Sequence, residues 1–328
     1  MSPGQKSHST TAAVVLAAAI LLWSVSYPVM KALGLHQANL VPGVSRLFLA
    51  AASVAARFAL AALMLAAWRG RDFARFTRLE LWQGAGLGCF GGIGILLQMD
   101  GVMRIPASTS AFLTQGYCVW VPLAVALHRR RWPSITLALS CAMVLAGVAV
   151  LANLRLSDLR LGRGEAETLA ASLLFAAQIL WLERPVFAGS RTVPVTLAMF
   201  AVVTLLILTT AVFIGSGARE WAAIFHSRAA AGLTVFLALV CTLVPTLLMN
   251  HWQPRMPASL ASLVYASEPL LTSLFALFVP AWLSRLAAVN YPNETVGARL
   301  LLGGGLVLAA NLLVIAVAAV YDRRQSKS

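Results

Sequence analysis

Charge is what this sequence has least of: Asp, Glu, Lys and Arg make up only 11% of it, against 60% hydrophobic residues. That is too little polar surface to cover a soluble globule of 328 residues, so the chain is expected to live in lipid. Cysteine is scarce too. Cys89, Cys118, Cys141 and Cys241 all fall in apolar segments and form no CxxC pair, which argues against a disulfide framework or a metal site and for small core residues. Catalytic patterns are missing: there is no HExxH, no P-loop and no aspartate-rich DxxxD pair, and His36, His128, His226 and His251 are expected in or next to loops. The chain is therefore not expected to be an enzyme, and no cofactor or metal is expected. No Ala-x-Ala cleavage site follows the first apolar run, so that run is expected to stay as a helix and not be removed as a signal peptide.

What the sequence has in abundance is long apolar runs. Crossing roughly 30 Å of hydrocarbon takes about 20 residues. Suitable runs lie at 11–33, 46–68, 81–99, 106–127 and 134–153, then at 166–183, 193–214, 229–249, 258–280 and 298–320. Ten membrane helices in an all-α integral membrane protein are expected. The formal charge of +14 sits in short basic clusters between these runs with little aromatic interleaving. Such clusters are topogenic and do not call for a nucleic-acid partner. The densest, within 69–78 and 129–131, fall on the same side and predict that both termini are cytoplasmic.

The sequence also says one thing twice. QMDGVMRIPASTSAFLTQGYCVWVP, Gln98 to Pro122, is echoed about 150 residues later by MNHWQPRMPASLASLVYASEP, Met249 to Pro269. Met99 answers Met249, Arg104 answers Arg255, and Pro106-Ala107-Ser108 answers Pro257-Ala258-Ser259, while Asp100 has a neutral partner in Asn250. Two repeats follow, 11–153 and 166–320. Because each holds an odd number of helices, the second must enter the membrane inverted, which predicts a binding site between the halves near mid-depth.

Helix three carries Gly84, Gly86, Gly88, Gly91, Gly92 and Gly94. Gly86-x-Gly88-x-x-Gly91 spells a dinucleotide fingerprint, but no strand precedes it, and Gly84, Gly88 and Gly92 make a small-residue ridge suited to close helix packing. Gly303-Gly304-Gly305 is expected to serve the same purpose. The loop Ala281–Gly297 holds the extra residues of the second repeat, and its Asn293-Glu294-Thr295 is taken as a chance glycosylation pattern.

An ionisable group at mid-bilayer is expensive enough to be a functional candidate by default. Arg57 and Glu268 qualify, and two readings stay open for them: a buried ion pair, or a Glu268 that carries a proton or contacts a substrate amine. Lys31 is expected at the end of helix one, half functional and half anchor. Asp100 is expected to be solvated in the turn after helix three. Trp23, Tyr27, Gln115, Tyr117, Gln178 and Tyr265 would give an apolar pocket a few polar groups, as a small metabolite needs. Pro28, Pro122, Pro245 and Pro269 each remove a helical hydrogen bond and are candidate kinks or gates.

Ten helices as two five-helix repeats resemble the EamA family of the drug/metabolite transporter superfamily over nearly the whole chain. Leu22-Trp23-Ser24 with Lys31 is similar to that family's first helix, Arg57-Phe58 to its second, and Pro106-Ala107-Ser108 with Pro122, and Pro257-Ala258-Ser259 with Glu268-Pro269, to its most recognisable segments in the two repeats. The family often ends helices four and nine with Gly-Glu; here His128-Arg129-Arg130-Arg131 and Pro280-Ala281 stand instead, so no role of those glutamates transfers. The resemblance implies a bacterial inner-membrane exporter of small metabolites, amino acids or drugs that works by alternating access. Its partners would be a small-molecule substrate and membrane lipid, and a homodimer is a further possibility. A non-transporting membrane sensor or assembly component is the alternative in another class, with an intramembrane enzyme behind it.

Overall fold

A computed structural model of the chain describes residues 3–69, 76–128, 130, 135–151, 161–215, 217–255, 265 and 267–325. Outside the described residues lie Pro257-Ala258-Ser259, parts of the two dense basic clusters and the side chain of Pro122. Helices dominate the described residues, which contain no strand. In chain order the helices are α1 (Pro3–Leu40), α2 (Arg46–Arg69), α3 (Arg78–Val102), α4 (Ala107–Thr114), α5 (Tyr117–His128), α6 (Ile135–Leu151) and α7 (Arg163–Leu182). Then follow α8 (Thr192–Ile214), α9 (Ala218–His226), α10 (Arg228–Ala238), α11 (Val244–Trp252), α12 (Glu268–Ala276), α13 (Val279–Ala287) and α14 (Ala298–Gln325).

Seven stretches among the described residues are long and apolar enough to cross a membrane: α1, α2, α3, α4 with α5, α7, α8 and the run from α10 through α11. The α12–α13 pair, bent by 58°, makes an eighth if it is one span. The apolar stretches Ala138–Leu151 and Ala298–Ala310, in the fifth and tenth expected segments, are shorter.

The breaks do not fall where proline alone would put them. Pro28 lies within the unbroken α1, and the fourth segment is interrupted at Gln115-Gly116, ahead of Pro122 in α5. Pro269 sits in the first turn of α12, where its missing N–H is harmless. Pro245 follows a π-helical turn, Leu239–Leu243. Two carbonyls that these prolines leave without their usual partner are taken up by side chains from other helices. Ser24 O, four residues before Pro28, accepts from Thr272 Oγ1 at 3.3 Å, and Cys241 O, four before Pro245, accepts from Arg57 Nη2 at 2.8 Å. In lipid no water can do this job.

α3 is the central post, and its glycines are close-packing surfaces on two sides. A Cβ on Gly88 would lie 2.8 Å from Met199 O and from Val202 Cβ of α8, and one on Gly86 would meet the Trp181 ring of α7 at 2.2 Å. Gly147 of α6 and Gly303 of α14 approach each other reciprocally, each with a carbonyl within 2.9 Å of the other's ideal Cβ; Gly304 faces Phe112, whereas Gly305 meets nothing. Gly88→Val should therefore separate α3 from α8 and cost about 1–3 kcal/mol or more, read as a lower unfolding midpoint in detergent.

Asp100 is fully buried, not solvated as expected. It lies in the last turn of α3 and accepts from Arg104 Nη2 at 3.0 Å and from Arg163 Nη2 at 2.7 Å, tying α3 to the start of α7. α1 also runs further than expected, to Leu40. His36 thus sits inside a helix, its ring 2.6 Å from both Ala287 O and Ser227 Oγ. The expected loop Ala281–Gly297 begins as helix α13.

Candidate functional site

Where α1, α2, α3, α7 and α11 converge with Tyr265 and Glu268, a cavity of about 140 Å³ remains. Its walls are mostly aromatic and aliphatic, including Trp23, Tyr27, Phe58, Tyr117, Phe175 and Tyr265. Polar groups enter from few directions: Glu268 from the first turn of α12, Arg57 from α2, Gln98 from α3 and Gln178 from α7. Seven of the nine residues expected to form a site line this cavity: Trp23, Tyr27, Arg57, Tyr117, Gln178, Tyr265 and Glu268.

Gln115 stands behind it, held by the break between α4 and α5. Its Nε2 donates to Glu268 Oε2 at 2.9 Å and to Tyr117 OH at 3.0 Å. The bond to Glu268 uses Oε2 as an acceptor. The Ser24 hydroxyl, whose one proton is shared between Ile20 O at 2.8 Å and Glu268 O at 3.2 Å, brings the start of α12 against α1. Tyr27 OH accepts from Gln98 Nε2 at 2.9 Å.

Arg57 and Glu268 form no ion pair. The arginine donates to Thr242 Oγ1, to Cys241 O and, at 3.3 Å, to Met30 Sδ. Its buried charge is thus solvated by the π-helical turn before Pro245, and the open question left by the sequence closes against pairing. Thr242, Gln98 and Gln253 are cavity residues that sequence reasoning did not place there. The one signal for Thr242 was its position three residues before a mid-helix proline.

Lys31 lies outside the cavity. Its Nζ donates to Ile105 O at 2.6 Å and stands 5.6 Å from the centre of the Tyr291 ring. Beside it the 289–297 loop docks across the start of α4. Glu294 accepts from Ala107 N at 2.6 Å and from Ser108 N and Oγ, while its own N–H donates to Ala276 O. A carboxylate at a helix N-terminus satisfies donors that have no partner within the helix. The Asn293-Glu294-Thr295 segment is therefore a strap. Glu294→Ala should release it, with a loss of about 1–2 kcal/mol and faster labelling of a cysteine placed in the cavity from that side.

At the other end, Tyr265 OH donates to Gln253 Oε1 at 2.7 Å. Gln253 and Leu182 form a thin wall, since both also line a second, larger cavity of about 620 Å³.

Neither a protein-family model nor a curated protein sequence matches this chain. Among solved structures, one described only as "Crystal structure of protein" is similar to it at a TM-score of 0.57, with 18% identity over 96% of this chain and 99% of the other. At that identity the likeness shows the fold alone. What stands is a helical fold whose described residues hold seven candidate membrane spans, or eight with the bent pair, around a mostly apolar cavity that holds a buried acid.

Proposed function

We propose that this protein is a carrier of the EamA type, moving a small solute across a membrane by alternating access around Glu268. The observation that carries the reading is the cavity itself: an aromatic-lined space with one carboxylate held by Gln115 and not neutralised by Arg57, bordered by the Tyr265–Gln253 hydrogen bond. A purely structural glutamate in lipid would be paired. This one faces the space where a solute's ammonium, N–H or O–H group could meet it.

Packing supports the two-repeat reading. If α1, α2, α3, α4–α5 and α6 of the first repeat correspond in order to α7, α8, α10–α11, α12–α13 and α14 of the second, contacts exchange between halves. α3 packs on α7 and α8; α10–α11 packs on α1 and α2; α2 meets α8 and α6 meets α14. A pseudo-two-fold axis in the membrane plane gives this exchange and, with the basic clusters, puts both termini in the cytoplasm of a bacterial inner membrane. On this reading the Glu294 strap closes the outer end and the Tyr265–Gln253 bond the inner one.

Metabolite profiling of cells with and without the protein should reveal solutes whose internal level falls when it is expressed. Uptake of those solutes by proteoliposomes then tests the reading. Saturable flux above empty liposomes supports it, and flux equal to empty liposomes for every shifted solute refutes it.

A further inference from the structure

The second cavity is built from the 183–192 loop, the end of α11 and the Gln253–Arg255 turn. Asn250 and Arg255, which answer Asp100 and Arg104 in the duplicated segment, both line it. In the first copy Arg104 spends its guanidinium on the buried Asp100. In the second copy Asn250 stands for the acid and Arg255 for the arginine, and among the described residues no ion pair or hydrogen bond engages the Arg255 side chain. The guanidinium lies over the Trp252 ring, 5.4 Å from its centre. Asn250 Nδ2 donates to Thr196 Oγ1 at 2.9 Å, but its buried Oδ1 has no partner.

A second arginine is presented to the same space. Arg184 stacks on Trp181 at 4.8 Å and on Trp82 at 5.4 Å, and these rings are braced by Phe187. Stacking uses the face of the guanidinium and leaves its N–H edge open. No carboxylate pairs with it either; Glu183 is the one acid among the described lining residues. Two more polar atoms on this wall, Gln83 Oε1 and Ser190 Oγ, are buried without a hydrogen-bond partner. Gln83 and Asn250 are 5% and 7% exposed, so these orphaned acceptors are not left to bulk water. Each such group is unfavourable until a donor reaches it.

We infer that this vestibule is a binding site for a small organic oxyanion, a carboxylate or phosphate ester that also carries N–H or O–H donors. Its anionic group lies against Arg255 and Arg184, supplying the charge that Asp100 supplies in the first copy. Its donors meet Asn250 Oδ1 and Gln83 Oε1. At about 620 Å³ the space suits an organic molecule better than a bare phosphate ion. The inference stands on binding alone and does not need the chain to transport anything. If the chain does transport, the shared wall of Leu182 and Gln253 makes this the place where solute waits before the central cavity.

The test is intrinsic tryptophan fluorescence of the full chain, since Trp82, Trp181 and Trp252 all stack on the two arginines. Glutamate, glycerol 3-phosphate and inorganic phosphate are the soluble probes, with glycerol as a neutral control. The expected result is saturable quenching by an organic anion and none by glycerol, with affinity about tenfold or more weaker in Arg255→Gln and in Arg184→Gln. Asn250→Asp is the decisive variant. It puts a carboxylate on the wall that carries the two arginines and should lose the anion; because it also removes the amide donor to Thr196 Oγ1, its unfolding midpoint is measured beside the binding. Nanodiscs of phosphatidylcholine with and without phosphatidylglycerol separate the sources: a variant-sensitive response only to phosphatidylglycerol assigns the oxyanion to a lipid headgroup. The inference is overturned if no probe, soluble or lipid, gives saturation, or if Arg255→Gln and Asn250→Asp, both folded, bind as the parent does.

Discussion

Glu268→Gln protein in liposomes should fold and melt like the parent and carry no solute above the background of empty vesicles. The introduced amide keeps the shape and still offers a carbonyl oxygen to Gln115 Nε2, which donates at 2.9 Å in the parent, so the start of α12 stays pinned. What is lost is the ionisable carboxyl and its exchangeable proton. If Glu268 carries a proton during the cycle, parent flux should vary with pH, and any residual flux of the variant should not. A variant that transports at the parent rate would remove Glu268 from the mechanism and leave it a packing residue. The readout is initial uptake rate at matched protein density, with the unfolding midpoint measured beside it.

Arg57→Ala should produce the largest loss of stability among these substitutions, about 3–5 kcal/mol. The arginine is 4% exposed, and its donors go to Thr242 Oγ1 and to Cys241 O, the carbonyl without an intrahelical partner because Pro245 lacks an N–H. Truncation leaves that carbonyl without its donor. Since no ion pair joins Arg57 to Glu268, the double variant Arg57→Ala with Glu268→Gln should sum the single effects to within about 0.5 kcal/mol. A coupling well above that, in urea or thermal unfolding, would mean that the two charges stabilise each other.

Arg57 also shows where sequence reading stops. The sequence marks it as a charge deep in an apolar run, and marks Pro245 as a residue that strands a carbonyl. That the two answer each other across 188 positions is a tertiary fact, with no periodicity or spacing to announce it. Glu268, Tyr265 and Tyr117 were legible because proximity followed from the duplicated segment itself. Lys31 was named for the same cavity, but α1 runs on to Leu40 and the lysine faces the α3–α4 turn. Asp100 looked like a turn residue by composition, whereas α3 continues past it and two arginines bury it.

Helix existence was legible from length and apolarity, and helix geometry was not. α9 and α13 are short amphipathic helices in stretches whose polarity reads as loop. Ile224 of α9 is nonetheless fully buried and Trp221 packs edge-on against Phe48 at 5.1 Å, contacts that only the assembled bundle provides. The break at Gln115-Gly116 lies well ahead of Pro122, whereas the one at Leu277-Phe278 falls just before Pro280 in the first turn of α13.

The most direct test of a chamber that opens alternately is the accessibility of one cysteine inside it. With the native cysteines replaced by alanine, Gln178→Cys would be challenged with a membrane-impermeant maleimide in right-side-out and in inside-out vesicles. The carrier account predicts reaction from both faces, slowed from both by a transported solute. Reaction from one face only, or from neither, whatever solute is present, would contradict it.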